Sequence, residues 1–180
     1  MNCGQNHHLF HVILHTYGSW LPGDPKGFRA VKHKKHCEGD WKNPPPNGLH
    51  NGLLNYSQSI SNPVVSLNIA QRRIVAEAIA DNLNHQGAKI SICSVSEQHA
   101  HLLGEFPIDE VHYKPQINQY MQRCKTWAAK RLRDADEWGG GTLWAQGSKV
   151  VRINDRRHWD NVYAYIKRHV NEHAYIYQCL

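Results

Sequence analysis

The sequence predicts an α+β fold with the ferredoxin-like order β-α-β-β-α-β: an antiparallel sheet with helices on one face and an added C-terminal helix. Short runs of alternating apolar residues are separated by two long segments with apolar residues at helical spacing. Two of the short runs are joined by only three residues, which is typical of a hairpin. With 180 residues the chain suits one hydrophobic core. We therefore expect a single domain over residues 1–180, whose second sheet face is free for a site.

The first predicted strand covers residues 8–16, where apolar side chains and histidines alternate. From about residue 18 to 64 the composition shifts to glycine, proline, asparagine and basic residues, including three consecutive prolines at 44–46. Such a composition favours turns and irregular structure. We therefore expect a long loop insertion at about 18–64.

A helix follows, for which Ser66 is the expected cap and Gly87 the expected stop, with apolar residues spaced three and four apart between them. Residues 89–95 and 99–106 are two strand-like runs. The three residues between them predict an antiparallel hairpin.

The second long helix is predicted at residues 115–133, with apolar residues on one face and only basic charges on the other. Three consecutive glycines at 139–141 then interrupt the chain. A last strand is expected at 149–153, and Asp155 is a suitable cap for a final helix that runs to about residue 172.

Charge and composition restrict the partners and the compartment. The formal net charge of +6 favours an acidic partner, with nucleic acid as the first candidate. The longest apolar stretch near the N-terminus, residues 9–14, is too short to span a bilayer and lacks a signal-peptide pattern. The five cysteines are odd in number and form no CxxC pair. We expect a cytoplasmic protein with reduced thiols and no membrane partner.

His99 and His101 form the strongest chemical signal in the sequence. Residues i and i+2 of a strand point to the same face, so the two imidazoles lie side by side. Neutral imidazoles bind divalent metal ions. Because the chain has fourteen histidines, an ordinary polar strand face is an equal alternative on spacing alone.

Tyr165 and His169 form the second signal. They are four residues apart on the predicted final helix and so share one face. A tyrosine phenol can act as a covalent nucleophile. The alternative is a core role, since apolar residues flank Tyr165 at helical spacing. Tyr163 lies about 200° around the helix from Tyr165, so only one of the two can face the site.

Four runs of sequence together resemble a known family: TYGSWLPGD at residues 16–24, QHAHLL at 98–103, LWAQ at 143–146 and the Tyr-Ile pair at 165–166. This order is similar to that of the single-tyrosine HUH transposases. Within them it is most similar to the REP-associated tyrosine transposases and the insertion-sequence 200-like transposase domain.

The resemblance implies a metal-dependent endonuclease and strand transferase that acts on single-stranded DNA with hairpin ends, as a monomer or a homodimer. His99, His101 and His169 would bind Mg²⁺ or Mn²⁺. Tyr165 would be the nucleophile, which takes the 5′-phosphate and releases a 3′-OH. Members of the REP-associated branch usually have asparagine where this chain has His169, a change that favours softer ions such as Mn²⁺.

Basic side chains and tryptophans are candidate DNA contacts, because cations follow the phosphate backbone and indoles stack on unpaired bases. The basic candidates are Arg123, Lys125, Lys130, Arg152, Arg156, Arg157, Lys167 and Arg168, and the aromatic ones are Trp20, Trp144 and Trp159.

Two other functions compete with the transposase. One is a catalytically silent relative that only binds hairpin DNA or RNA. The other is a metal-dependent phosphodiesterase that uses activated water, in which Tyr165 is structural.

Overall fold

The computed structural model describes residues 7–25, 28–29, 36–37, 46, 48–109 and 111–178, with backbone only at 28–29 and 36–37. The strands of this part are β1 (His7–His15), β2 (Phe28–Arg29), β3 (His36–Cys37), β4 (Lys89–Val95), β5 (His99–Pro107), β6 (Lys149–Arg152) and β7 (Tyr175–Gln178). Its helices are α1 (Asn51–Ile60), α2 (Ile69–His85), α3 (Tyr113–Asp134) and α4 (Arg156–Arg168), followed by a 3₁₀ helix (His169–Glu172).

The main sheet has five strands in the order β6-β1-β5-β4-β7, and every neighbouring pair is antiparallel. β1, α2, β4, β5, α3 and β6 follow the predicted β-α-β-β-α-β order, so the predicted α+β fold is confirmed. The β4-β5 hairpin begins and ends within one residue of the predicted positions. The fifth strand, β7, extends the sheet at the β4 edge and was not predicted.

The two faces of the sheet have different roles. Phe10, Val12 and Leu14 of β1 point into the main core, together with the buried residues of α2 and α3. α4 lies on the opposite face, where Ile166 is fully buried against Ile92 and Leu103. Burial of a side chain of this size contributes about 1.5 to 3 kcal/mol. This second face, which also carries the odd-numbered residues of β1 and β5, is called the site face below.

The N-cap of α4 is the predicted residue, whereas the N-cap of α2 is a different one. The Asp155 carboxylate accepts a hydrogen bond from the His158 backbone N–H at 2.7 Å, as the predicted cap of α4 should. The prediction that Ser66 caps α2 is wrong. Asn68 is the cap instead, because Gln71, three residues later, completes a reciprocal capping box with it.

The C-terminal helix is shorter than predicted. α4 ends at Arg168 and continues as the 3₁₀ helix, and His173 then adopts a left-handed conformation with φ of 60°. The His173 carbonyl accepts a hydrogen bond from the Arg72 guanidinium at 2.8 Å, which fixes the reversal. The chain can therefore return to the sheet as β7.

The predicted loop insertion is partly regular. It contains α1 and the short β2-β3 pair, and its residues 26–27, 30–35, 38–45 and 47 lie outside the described ranges. α1 packs closely on the chain at Gly23, where a Cβ atom would lie 2.4 Å from the Leu54 nitrogen. The asparagine, glycine and serine content of α1 hid it from sequence analysis, because such residues have low helix propensity and tertiary contact compensates for it. No helix in the described ranges is long and apolar enough to cross a membrane.

Candidate functional site

Three histidines meet on the site face. The ligand atoms of His99, His101 and His169 all lie within 4.8 Å of one another, close enough to hold one metal ion. His101 and His169 are only 4% and 5% exposed, whereas His99 is half-buried. The fold thus brings together the three residues that the sequence suggested as ligands.

The positions of the three histidines follow from the fold. His99 and His101 lie on β5, the central strand, which is paired on both sides by β1 and β4. His169 is the first residue of the 3₁₀ helix, directly after α4. Because Ile166 anchors the last turn of α4 in the apolar cluster below it, His169 is held over the two strand histidines. The ring centroids of His101 and His169 are 4.7 Å apart.

Hydrogen bonds at Nδ1 orient two of the rings. His169 Nδ1 lies 3.1 Å from the Tyr165 carbonyl oxygen and 3.3 Å from that of Ile166. A carbonyl oxygen only accepts, so Nδ1 carries a proton, and in the neutral ring Nε2 then keeps its lone pair for a metal. His101 Nδ1 lies 2.9 Å from His11 Nε2. When His101 Nδ1 donates this hydrogen bond, His101 Nε2 also keeps its lone pair for a metal.

Tyr165 lies on the rim of this cluster. Its ring centroid is 4.7 Å from that of His169 and 5.3 Å from that of His101, and the side chain is 43% exposed. Partial burial and the nearby Glu172 carboxylate raise the pKa of the phenol, against the opposing charge of Arg168. The phenol is therefore protonated at neutral pH, and the side chain remains accessible from solvent. All four groups belong to one chain.

Three histidines of the site face, His11, His15 and His101, are neutral at physiological pH. Burial is the main reason that the pKa of His11 falls to about 4 and that of His101 to about 2. The pKa of His15 also falls to about 4, because of burial and the charge of neighbouring His99. Neutral imidazoles are the form that binds metal ions.

These pKa shifts make the stability of the fold depend on pH. His11 and His15 titrate near 6.5 when unfolded and near 4 when folded, so between these values the unfolded chain binds more protons. We expect the free energy of unfolding, measured by urea titration in EDTA, to fall by about 2 kcal/mol for each of these two histidines between pH 7 and pH 4.5. His11→Phe should show a smaller fall. A constant free energy over this range would contradict the assignment.

The candidate DNA contacts divide between the two sides of the sheet. Arg156, Arg157, Lys167 and Arg168 are exposed on α4 and so share the site face with the triad. Arg152 pairs with Phe10 across the β1-β6 ladder and therefore points to the opposite side. Arg123 and Lys130 lie in the layer of α2 and α3, where Arg123 donates to Gln86 and Lys130 pairs with Asp134.

Two of the candidates have structural roles. Lys125 donates to the carbonyls of Ala145 and Gly147, and burial lowers its pKa to about 8. Trp144 is only 8% exposed, and its indole N–H donates to the Lys125 carbonyl at 3.2 Å. The prediction of Trp144 as a base-stacking residue is corrected by this burial, because its ring is not open to a base.

Two residues of the site face are not among the candidate site residues of the sequence. His11 is one of the histidines that alternate with apolar residues along β1, and its hydrogen bond to His101 makes it part of the cluster. Lys149 pairs with Ile13, which in turn pairs with His101, so it lies in the same row across the sheet as a metal-binding candidate. It is exposed, and its charge contributes to the lowered pKa of His11 and His15. Placing either residue next to the histidine cluster requires the register between the strands, which the sequence does not give.

Comparison with known proteins gives matches among solved structures. No protein-family model matches the sequence, and no curated protein matches it. The chain is similar to the structure of a REP-associated tyrosine transposase bound to a REP hairpin, with 11% identity, a TM-score of 0.49, and coverage of 92% of this chain and 68% of the other. It is also similar to a candidate transposase from Deinococcus radiodurans R1, with 14% identity, a TM-score of 0.43 and coverage of 91% of both chains.

Proposed function

We propose that this protein is a metal-dependent transposase that cleaves and rejoins single-stranded DNA beside hairpins through a 5′-phosphotyrosine intermediate. The observation that carries the proposal is the placement of an accessible tyrosine next to a cluster of three histidines within one chain. A cluster of this kind and a phenol at its rim are the two parts that such chemistry needs.

The donor set fits a divalent transition-metal ion. His99, His101 and His169 supply three imidazole nitrogens, and within the described ranges no carboxylate belongs to this cluster. Imidazole suits transition metals, whereas Mg²⁺ prefers oxygen ligands, so Mn²⁺ is the better candidate of the two. When bound, the ion would supply Lewis-acid polarisation of the scissile phosphate.

Tyr165 would perform the covalent step. Its phenol oxygen attacks phosphorus in line with the leaving 3′ oxygen, so that the new O–P bond forms as the P–O3′ bond breaks. The phenol proton is given up and the leaving oxygen becomes a 3′-OH, so the number of phosphodiester bonds is unchanged. Because a phenolate leaves more readily than an alkoxide, a 3′-OH can attack the adduct in the reverse direction. No nucleotide cofactor is required.

Positive charges on the same face would hold the strand. Lys149 on β6 and the cations at both ends of α4 flank the cluster on the site face. Such charges attract phosphates without reading sequence. We therefore include Lys149 among the proposed DNA contacts, together with Arg156, Arg157, Lys167 and Arg168.

The decisive experiment uses labelled single-stranded hairpin DNA from the flanks of the protein's own gene. The protein is incubated with this DNA in Mn²⁺ or in EDTA and the products are separated on a denaturing gel. A covalent adduct in Mn²⁺ alone is the expected result. DNA that is cut without an adduct would favour the phosphodiesterase, and DNA that is bound but never cut would favour the silent binder.

The arrangement of the site predicts that the groups of one chain are sufficient for adduct formation. Because Tyr165 lies next to histidines of its own chain, we expect a mixture of Tyr165→Phe and His101→Ala chains to form less than about 1% of the wild-type adduct. The adduct is measured on the same gel, after co-incubation of the two purified variants. Recovery of a substantial fraction of the activity would show that the tyrosine acts on a partner's histidines.

His11 is expected to support metal binding through His101. Outer hydrogen-bond partners of metal ligands typically change affinity by about 10- to 100-fold. We expect His11→Phe, which removes the acceptor and keeps an aromatic ring, to weaken Mn²⁺ binding by about this factor in calorimetry. His11→Gln, whose carbonyl can accept from His101, should keep most of the affinity. Equal affinities of the two variants would contradict the role.

A further inference from the structure

Trp20 is an exposed indole close to the candidate metal centre. Its side chain is 47% exposed, whereas the other tryptophans in the described ranges are buried or half-buried. Its ring centroid lies 5.4 Å from that of His15, and the His15 ring lies 6.3 Å from that of His99. His15 and His99 are also direct partners in the β1-β5 register. A row of three rings thus leads from the surface to the histidine cluster.

The turn that carries Trp20 is fixed by bonds to three other segments. The Thr16 hydroxyl lies 2.7 Å from the Val65 carbonyl oxygen and 3.1 Å from that of Gln98. The Tyr17 backbone N–H donates to the Leu143 carbonyl at 2.9 Å. The indole is therefore presented in a defined place, and a ligand would not have to order the turn on binding.

Glycine is required within this turn. Gly18 has φ of +76°, and a Cβ atom there would lie 3.1 Å from the Val64 Cα atom. The Ser19 hydroxyl then donates to the Thr16 carbonyl at 2.8 Å and closes the turn. The sequence of the turn is thus suited to holding Trp20 beside β1.

The surroundings of Trp20 indicate the chemistry of its ligand. Lys149 is exposed on β6 and pairs with Ile13, two residues before His15 on β1. An exposed aromatic ring with a cation on the same part of the sheet is the combination that binds single-stranded nucleic acid, in which the ring stacks on a base and the cation attracts a phosphate. In a duplex the faces of the bases are already stacked on their neighbours, so the expected occupant is an unpaired base.

We propose that Trp20, backed by His15, is a stacking site for an unpaired nucleobase of the strand that enters the histidine cluster. The position of this base next to the scissile phosphate rests on the proposed function. Base stacking itself does not depend on the proposed function, because it can be measured without metal and without cleavage.

The test compares two probes with equal backbone charge. One is decathymidylate, and the other is a strand of the same length made of abasic tetrahydrofuran residues. Both carry a fluorescent label, and binding is followed by anisotropy in EDTA at fixed salt. The proteins are the wild type, Trp20→Ala, Trp20→Phe and the control Trp127→Ala, which removes a half-buried indole of α3 in the helical layer.

We expect the wild type to bind decathymidylate roughly 10-fold more tightly than the abasic strand, the scale of one stacked base. Trp20→Ala should lose most of this preference without weakening abasic binding, and Trp20→Phe should keep much of it. Trp127→Ala should resemble the wild type. The proposal is overturned if the wild type shows no preference, or if Trp20→Ala retains it.

The result is separable from the proposed function. If the wild type forms no adduct with hairpin DNA but Trp20→Ala still loses the base preference, the stacking site stands and the transposase does not. If the adduct forms and the base preference is unaffected by Trp20→Ala, the transposase stands and the stacking site is rejected.

Discussion

Tyr165→Phe is expected to abolish the covalent protein–DNA adduct, with a loss of about 1,000-fold or more in the rate of adduct formation. The substitution removes only the phenol oxygen, which is the proposed nucleophile, and keeps the ring that packs near His169. DNA binding should remain within about two-fold, because the charges that attract phosphates are unchanged. The rate is measured with hairpin DNA in Mn²⁺ on a denaturing gel, and binding by anisotropy.

Tyr163→Phe is the matched control for this substitution. Tyr163 lies on the same helix, but its ring is stacked on Trp159, with ring centroids 4.8 Å apart, and it packs in the apolar cluster under α4. The control should form adduct at close to the wild-type rate. An adduct that persists in Tyr165→Phe and disappears in Tyr163→Phe would reassign the nucleophile.

His101→Ala is expected to have the second large effect, the loss of metal binding together with adduct formation. His101 lies at the centre of the cluster, in ring contact with His99, His169 and Tyr165. Without it only two of the three imidazoles remain. Calorimetry with Mn²⁺ should show affinity weakened by about 100-fold or more, since a ligand contributes at least as much as an outer hydrogen-bond partner.

His85→Ala controls for the general effect of losing a histidine. His85 is exposed at the end of α2, in the layer opposite to the site face, so metal affinity and adduct formation should be unchanged. Circular dichroism of both variants in EDTA checks that they fold. A folded His101→Ala protein that binds Mn²⁺ as tightly as the wild type would refute the proposed ligand set.

Much of the fold is accessible from the sequence because its signals are local. The apolar alternation of β4 and β5 and the short turn between them define the hairpin almost to the residue. The same two-residue period places His99 and His101 on one face. The four-residue spacing of Tyr165 and His169 survives the end of α4, because the 3₁₀ helix continues the last turn in nearly the same direction.

The remaining features depend on contacts between distant segments. The hydrogen bond between His11 and His101 exists because β1 lies beside β5 in one register, which the sequence of β1 alone does not contain. Lys149 reaches the site face for the same reason, through the register of β6. β7 is a strand of four residues after a left-handed turn at His173, too short to give a periodic signal.

The most direct test of the central claim is to identify the amino acid that carries the DNA. The adduct formed in Mn²⁺ is digested with nuclease and trypsin, and the peptide of residues 158–167, which contains both Tyr163 and Tyr165, is fragmented in a mass spectrometer. We predict a nucleotide attached through its 5′-phosphate to Tyr165. Attachment to Tyr163 or to a residue outside this peptide, or cleavage that leaves no modified residue, would contradict the account.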